Sequence, residues 1–388
     1  MSHLNEELRM MRDEAREFTK NEVLPEANER DPKEEPISMD LREKLGEMGY
    51  FGILAREEYG GLDLGAMAYA VITEELARGW MSVASIIVRG QGFRGTEEQE
   101  ERWARKMATG ERLHAVALTE PQAGSDLRSL QATAEKDGDE YILNGEKTFC
   151  TFAKGADGIS VLARTPDLEN RNMASFIIDK PRDTFDYEGL EGSKLDTIGY
   201  HGWQSYQLQL NDVRVPVENL VGGEDASGGI AQTFSGLTLA RVHTAARSIG
   251  LARGALEDSL DYAQQREQFG QPIGEFQAIR FKLATMATKI EAARQLTHSV
   301  AARADAEPGL RYDKEAAMAK YFASEMSEEV TSEGIQIHGG NGYTTDYPLE
   351  RYWRDARLTK IFEGTSEIQQ RIISDRLFDN GVHGGALN

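Results

Sequence analysis

Residues 361–371, IFEGTSEIQQR, place an acid directly ahead of a helix-start signal. Glu363 is a candidate proton acceptor. Beside it, Gly364 breaks the chain, and Thr365 or Ser366 can serve as an N-cap. Ser366 and Gln369 also have the spacing of a capping box. Taken alone, a plain helix start explains these residues at least as well as a reactive carboxylate does.

Four further stretches could hold a ligand. The loop ALTEPQAGSDL, 117–127, offers the Thr119 and Ser125 hydroxyls and backbone amides suited to a flat heterocycle or a phosphate; an ordinary Gly/Pro loop has the same composition. In KTFCTFA, 147–153, Phe149 and Thr151 are two apart on a strand, so they share a face. One could cover a ring while the other bonds it, or both could be core residues. QQREQFGQPIGEFQAIRF, 264–281, carries Arg266, Phe269 and Gln277 between two long helical runs. Arg266 could grip a pyrophosphate or cap a solvated helix end. The turn Gly339-Gly340-Asn341-Gly342 allows close backbone approach to a ligand, as would a tight interhelical connection.

The elements that must position these residues fall into three regions. Residues 1–114 show apolar residues three and four apart, the helical period, with Leu4, Leu8, Met11 and Phe18 on one face. From 115 to 226 the period becomes that of strands, with Asp137-Gly138 and Asn144-Gly145 as hairpin signals. From 227 to 388 long helical patterns return; Ile279, Leu283, Met286, Ile290, Ala293 and Leu296 form one continuous stripe. The expected fold is α+β and multidomain: an N-terminal helical domain, a central antiparallel β barrel or sandwich, and a C-terminal antiparallel four-helix bundle.

Composition narrows the chemistry. The 388-residue chain has 44 Lys and Arg against 65 Asp and Glu, a net charge of -21 that repels nucleic acid and anionic membranes. Cys150 is the single cysteine, so no intramolecular disulfide or thiolate cluster forms, and the seven histidines lack a zinc-binding spacing; no metal is expected. No apolar run reaches spanning length, and the acidic N-terminus lacks a secretory or transit pattern. A cytoplasmic protein without membrane insertion is the expectation.

In combination and order, ITEELARG, LTEPQAGSD, NGEKTF, VRVPVENLVG, REQFGQPIGEFQAI, QIHGGNGY and FEGTSEIQ resemble the acyl-CoA dehydrogenase family over nearly the whole chain. The resemblance implies FAD, a homotetramer built as a dimer of dimers, an acyl-CoA substrate and electron-transfer flavoprotein as electron acceptor. It also implies that Glu363 removes the α-proton while flavin N5 takes the β-hydride, giving the trans-2-enoyl-CoA. The backbone N–H of Glu363 and a ribityl hydroxyl would meet the thioester carbonyl. Such a base is expected in an apolar pocket that raises its pKa toward neutral. Some relatives carry the base at the position matching Ala240, which leaves Glu363 as the candidate here.

The same resemblance assigns Leu118, Thr119, Phe149 and Thr151 to the isoalloxazine ring. Arg266, Phe269, Gln277, Gln336, Gly339 and Gly340 match positions holding the adenosine pyrophosphate, partly from a neighbouring subunit. Thr365 matches a further FAD contact, and Glu367 stands where many relatives have Gln or Asn. Ser125 borders both cofactor and acyl-CoA, and Arg241 and Gly364 match substrate positions. Phe149 replaces a commoner tryptophan, Trp203 in GYHGWQSYQL is unusual, and the segment after Met81 is about six residues shorter than its counterparts. A shortened floor could admit a bulky, cyclic or dicarboxylic acyl group, with Arg89 pairing a second carboxylate or simply solvated at the surface. The alternatives are an oxygen-using acyl-CoA oxidase, a nucleic-acid-associated relative, which the charge opposes, and a flavin-free helical scaffold.

Overall fold

Helix α1 (Glu6–Phe18) starts where the Asn5 side chain accepts the Leu8 N–H, and a π-helical stretch carries it into α2 (Leu24–Arg30). The computed structural model describes residues 4–166, 168, 172–224, 237–307 and 312–379; the expected boundary near 226 lies outside them. Ser38 caps α3 (Met39–Glu47), and Thr96 with Gln99 forms a full capping box on α6 (Glu97–Ala108). Between them α4 (Gly65–Gly79) is buried on nearly every face. Extended backbone at Trp80 separates it from the short α5 (Met81–Ile86).

Among the described residues seven strands form the central sheet: β1 (His114–Ala117), β2 (Thr133–Asp137), β3 (Glu140–Thr151), β4 (Gly158–Arg164), β5 (Met173–Asp179), β6 (Leu190–Lys194) and β7 (Ser205–Pro216). Their order is β1-β4-β2-β3-β7-β6, with β5 also on β4. Most pairs are antiparallel as expected, but β1 runs parallel to β4, and β2 meets β4 in parallel at Thr133.

Of the two hairpin signals, one acts as a turn. Asp137 pairs with Glu140 across Gly138-Asp139, with Gly138 at φ 64°. Asn144-Gly145 instead lies inside β3 at a bulge. There the Asn144 side chain accepts the Asp212 N–H at 2.9 Å, and Gly145 is needed because a Cβ would fall 2.8 Å from Ala132 Cα.

The C-terminal helices are α7 (Leu237–Gln265), α8 (Gln277–Ala306), α9 (Asp313–His338), α10 (Leu349–Thr359) and α11 (Ser366–Asp379). Arg241 near the start of α7 faces Asp313 at the start of α9, while Tyr262 near its end stacks on His338 at the end of α9. The two helices therefore run parallel, with α8 returning between them, as alternation in a bundle requires. Apolar side chains of α4, α7, α8 and α9 share one core. Among the described residues no helix is long and apolar enough to cross a membrane.

Candidate active site

Glu363 sits in the connection between α10 and α11 with φ 54°, in the left-handed region, and Gly364 follows at φ 89°. A non-glycine residue held there is strained, and such strain gathers at functional positions. Several contacts fix the connection. Thr365 caps α11, its hydroxyl accepting the Ile368 N–H at 3.3 Å. Gln369 Nε2 donates to Glu363 O and Gly364 O at 3.3 and 2.9 Å, and buried Lys320 Nζ donates to Gly364 O at 2.8 Å. The Ser366–Gln369 box is thus not formed: Ser366 Oγ donates to Glu325 and Gln369 reaches back to the turn.

The carboxylate has a defined orientation. Its Oε2 accepts from the Thr244 hydroxyl and lies 2.9 Å from Arg247 Nη2. Arg247 is fully buried on α7, with Nη1 donating to Ser85 Oγ at 2.8 Å and to the Tyr200 hydroxyl at 3.4 Å, and its guanidinium lies 4.6 Å from the Phe362 ring centre. The apolar surround expected for Glu363 is therefore not what is found. Burial works against the Arg247 charge, yet Glu363 and Tyr200 hold its pKa above the ordinary arginine value. Among the described residues Glu363 Oε1 and the Glu363 N–H have no hydrogen-bond partner. One oxygen is anchored, and the other is available with the N–H.

Tyr200 shapes the adjoining wall. It is itself left-handed at φ 66°, its N–H donates to Asp355 Oδ1 at 2.7 Å, and its ring meets Trp203 and Phe362 edge-on at 5.8 and 6.0 Å. Gly202 lets Trp80 pack beneath, since a Cβ would fall 2.2 Å from Trp80 Cζ2. Arg89, on a 3-10 turn after α5, is half-buried rather than solvated at the surface: its Nε is enclosed and its guanidinium stands 4.9 Å from the Trp203 ring centre.

The β-domain candidates come together at a second locus. Thr148 N–H donates to Thr119 O at 2.9 Å and Lys147 Nζ to Leu118 O at 3.2 Å, tying the 117–127 loop to β3. Lys147 also forms a fully buried pair with Glu120 at 2.7 Å, and Glu120 accepts the Gln131 and Ala132 N–H groups. A bulge at this point in β3 turns Phe149 outward with φ 53° and 65% of its surface exposed. Thr151 lies beyond buried Cys150, with its hydroxyl 2.9 Å from Ser205 Oγ, and Ser125 is exposed at the loop tip.

The third set lies elsewhere. Arg266 and Phe269 occupy a hairpin of β8 (Glu267–Gln268) and β9 (Gln271–Pro272), with Phe269 and Gly270 both at positive φ as a type I′ turn requires. Phe269 is 95% exposed. Tyr262 links this end of α7 to Gly339 and Gly340 by stacking on His338 and accepting from Asn341 at 2.9 Å. A Cβ on either glycine would meet nothing within 4 Å, and Gln277 and Gln336 are exposed nearby in the chain. Arg266 lies 19 residues beyond Arg247 on or just past α7, roughly 28 Å along its axis, so this set does not join Glu363 within one chain. Glu367 is exposed in the first turn of α11, where its own N–H and the Thr365 hydroxyl hold its carboxylate below the ordinary range. Arg241 is buried on α7, 3.8 Å from Asp313.

Thr244, Arg247, Tyr200 and Lys320 were not among the expected site residues. A signal for Arg247 does exist. It is a lone guanidinium in TAARSIG, on a helix with no acid one turn away on either side, so its counter-ion must come from another element.

The exposed aromatic and hydroxyls of the β locus, with the open glycine turn and Arg266 of the bundle, fit a flavin dinucleotide in chemistry: a flat ring edge at one and a pyrophosphate at the other. The acyl-CoA dehydrogenase N-terminal, middle and C-terminal domain models match residues 5–111, 115–213 and 227–378. The chain is 40% identical to (2S)-methylsuccinyl-CoA dehydrogenase of Cereibacter sphaeroides, over 97% of this chain and 71% of that protein. It is 37% identical to the caffeyl-CoA reductase-Etf complex subunit CarC of Acetobacterium woodii, over 97% and 99% of the two chains. The solved butyryl-CoA dehydrogenase of Megasphaera elsdenii superposes with a TM-score of 0.89 at 34% identity, over 97% and 99% of the chains.

Proposed function

The chain belongs to the acyl-CoA dehydrogenase family and is an oxidoreductase acting on acyl-CoA thioesters; from that premise we propose that Glu363 is the base that starts α,β-dehydrogenation. The observation that carries this is its split carboxylate: Oε2 is fixed by Thr244 and Arg247 while Oε1 is unengaged. Oε1 receives the α-proton. The Glu363 N–H, without an acceptor among the described residues, donates to the thioester oxygen as negative charge develops there. The tight Gly364 turn holds base and donor on one residue, so that a substrate carbonyl bound by the N–H presents its α-carbon to the carboxylate.

The cofactor in this reading is FAD, with Leu118, Thr119, Phe149, Thr151 and Thr365 at the ring end and Arg266, Phe269, Gln277, Gln336, Gly339 and Gly340 at the pyrophosphate end. When bound, FAD supplies the two-electron acceptor for the β-hydride and a hydroxyl for the carbonyl. The distance between Arg266 and Glu363 favours the pyrophosphate set serving a neighbouring copy's site. Exposed Phe269, Phe281 and Tyr343, on and around the bundle, support that association and hence a homotetramer. Electron-transfer flavoprotein is the acceptor, in keeping with the Etf complex named for the Acetobacterium relative.

Anaerobic addition of straight and branched acyl-CoAs to purified yellow enzyme tests this reading. Bleaching of the flavin, with reduced enzyme that reoxidises slowly in air and rapidly with electron-transfer flavoprotein, is expected. Rapid reoxidation by oxygen alone would replace the dehydrogenase with an oxidase.

A further inference from the structure

Among the described residues Arg89 forms no ion pair of its own. Among the described residues nothing accepts a hydrogen bond from its guanidinium, and its Nε is enclosed. Three buried arginines are answered by acids: Arg42 by Asp157 at 3.2 Å, Arg253 by Glu74 at 2.8 Å and Arg247 by Glu363 at 2.9 Å. Burial pulls the Arg89 guanidinium below the ordinary arginine range, and Tyr200 and Glu363 only partly offset it. Glu363 is already engaged by Arg247.

The cation belongs to the Glu363 cluster. Tyr69 and Tyr200 both sit within the electrostatic reach of Arg89, Arg247 and Glu363 together. Trp203, under the Arg89 guanidinium, touches Tyr200, which touches Phe362 next to Glu363. Two further buried donors there, the Tyr69 hydroxyl and Trp203 Nε1, also lack partners. Two guanidinium groups thus lie within the field of one carboxylate, with unpartnered donors beside them. A partly enclosed cation of this kind gains most when an anion completes it.

We infer that this anion is a second carboxylate on the substrate, so that the acyl group is a short dicarboxylyl chain whose distal carboxylate is received by Arg89 beside Trp203. The inference rests on the acyl-CoA reading above. The thioester itself is neutral and is met by the Glu363 N–H, and the CoA phosphates stand a full pantetheine arm away from it, which leaves the acyl chain to carry the anion. The chain is short because Arg89 lies within the electrostatic reach of Glu363 and is linked to it through Trp203, Tyr200 and Phe362. The distal carboxylate is a spectator: Cα–H leaves as a proton to Glu363, a bound flavin would accept the Cβ–H as hydride, and no bond to the carboxylate changes. It fixes which hydrogens are presented.

Matched thioesters isolate the charge: succinyl-CoA against butyryl-CoA, and 2-methylsuccinyl-CoA against 2-methylbutyryl-CoA. The readout is the anaerobic flavin-bleaching rate at subsaturating thioester. In the wild-type enzyme the charged member of at least one pair is expected to be faster by about 100-fold or more, since a site built for a polar group rejects its apolar analogue. Arg89→Ala and Arg89→Gln should lose that ratio, and Arg89→Lys should keep part of it. If neutral thioesters bleach the wild-type flavin as fast as charged ones, the inference fails and the dehydrogenase reading stands. If no thioester bleaches it, that reading fails as well. A preference that survives in folded, flavin-loaded Arg89→Gln removes Arg89 from the role. The wild-type ratio decides the substrate class even if every variant misfolds.

Discussion

Asp355→Asn should stabilise the protein in a pH-dependent way. Asp355 is fully buried; its Oδ1 accepts the Tyr200 N–H at 2.7 Å, and its Oδ2 has no partner among the described residues. Burial, with Asp31 alongside, pushes its pKa up to about 7 from an ordinary 3.8. The folded protein therefore holds this proton while the unfolded chain releases it, and stability is lost as pH rises from about 4 to about 7. Three pH units correspond to about 4 kcal/mol, a ceiling that sharing of charge with Asp31 and Arg354 lowers. Asparagine keeps the acceptor for Tyr200 and carries no charge. Thermal midpoints at one scan rate, at pH 5 and pH 8, should show a larger gain for the variant at pH 8. A gain equal at both pH values, or larger at pH 5, would refute the reasoning.

Two further substitutions probe the supports of the site. Gly202→Ala places a methyl against Trp80 and should cost about 1–3 kcal/mol, seen as a lower melting temperature, while slowing flavin bleaching by shifting Trp203 and Tyr200. Lys320→Met removes the donor to Gly364 O and should slow turnover with flavin content retained. Burial holds the Lys320 ammonium down to about 8, so below that pH the folded wild type bears the cost of the charge. As pH rises from about 8 toward 10.5 the cost is relieved, and wild-type stability should improve relative to the Met variant.

Much of the fold was legible because its periods are clean: the Ile279–Leu296 stripe lies on α8, and the strand-like segments form the central sheet. Asn144-Gly145 misled because the same dipeptide suits a tight turn and a bulge, and only the close approach of Ala132 decides between them. The identity of Glu363 rested on the whole order of motifs, whereas its surroundings could not be read locally. Thr244 and Arg247 lie more than a hundred residues away, and Tyr200 comes from the loop before β7. Arg89 illustrates the same limit: its segment looks like a solvated turn until Trp203 closes beneath it.

The central claim is that Glu363 is the base. Glu363→Gln keeps the shape of the side chain and an oxygen to accept from Thr244 and Arg247, so the variant should fold, retain flavin and bind acyl-CoA. Its anaerobic flavin reduction by a substrate that bleaches the wild type should slow by about 1,000-fold or more. Reduction within about tenfold of wild type would contradict the account.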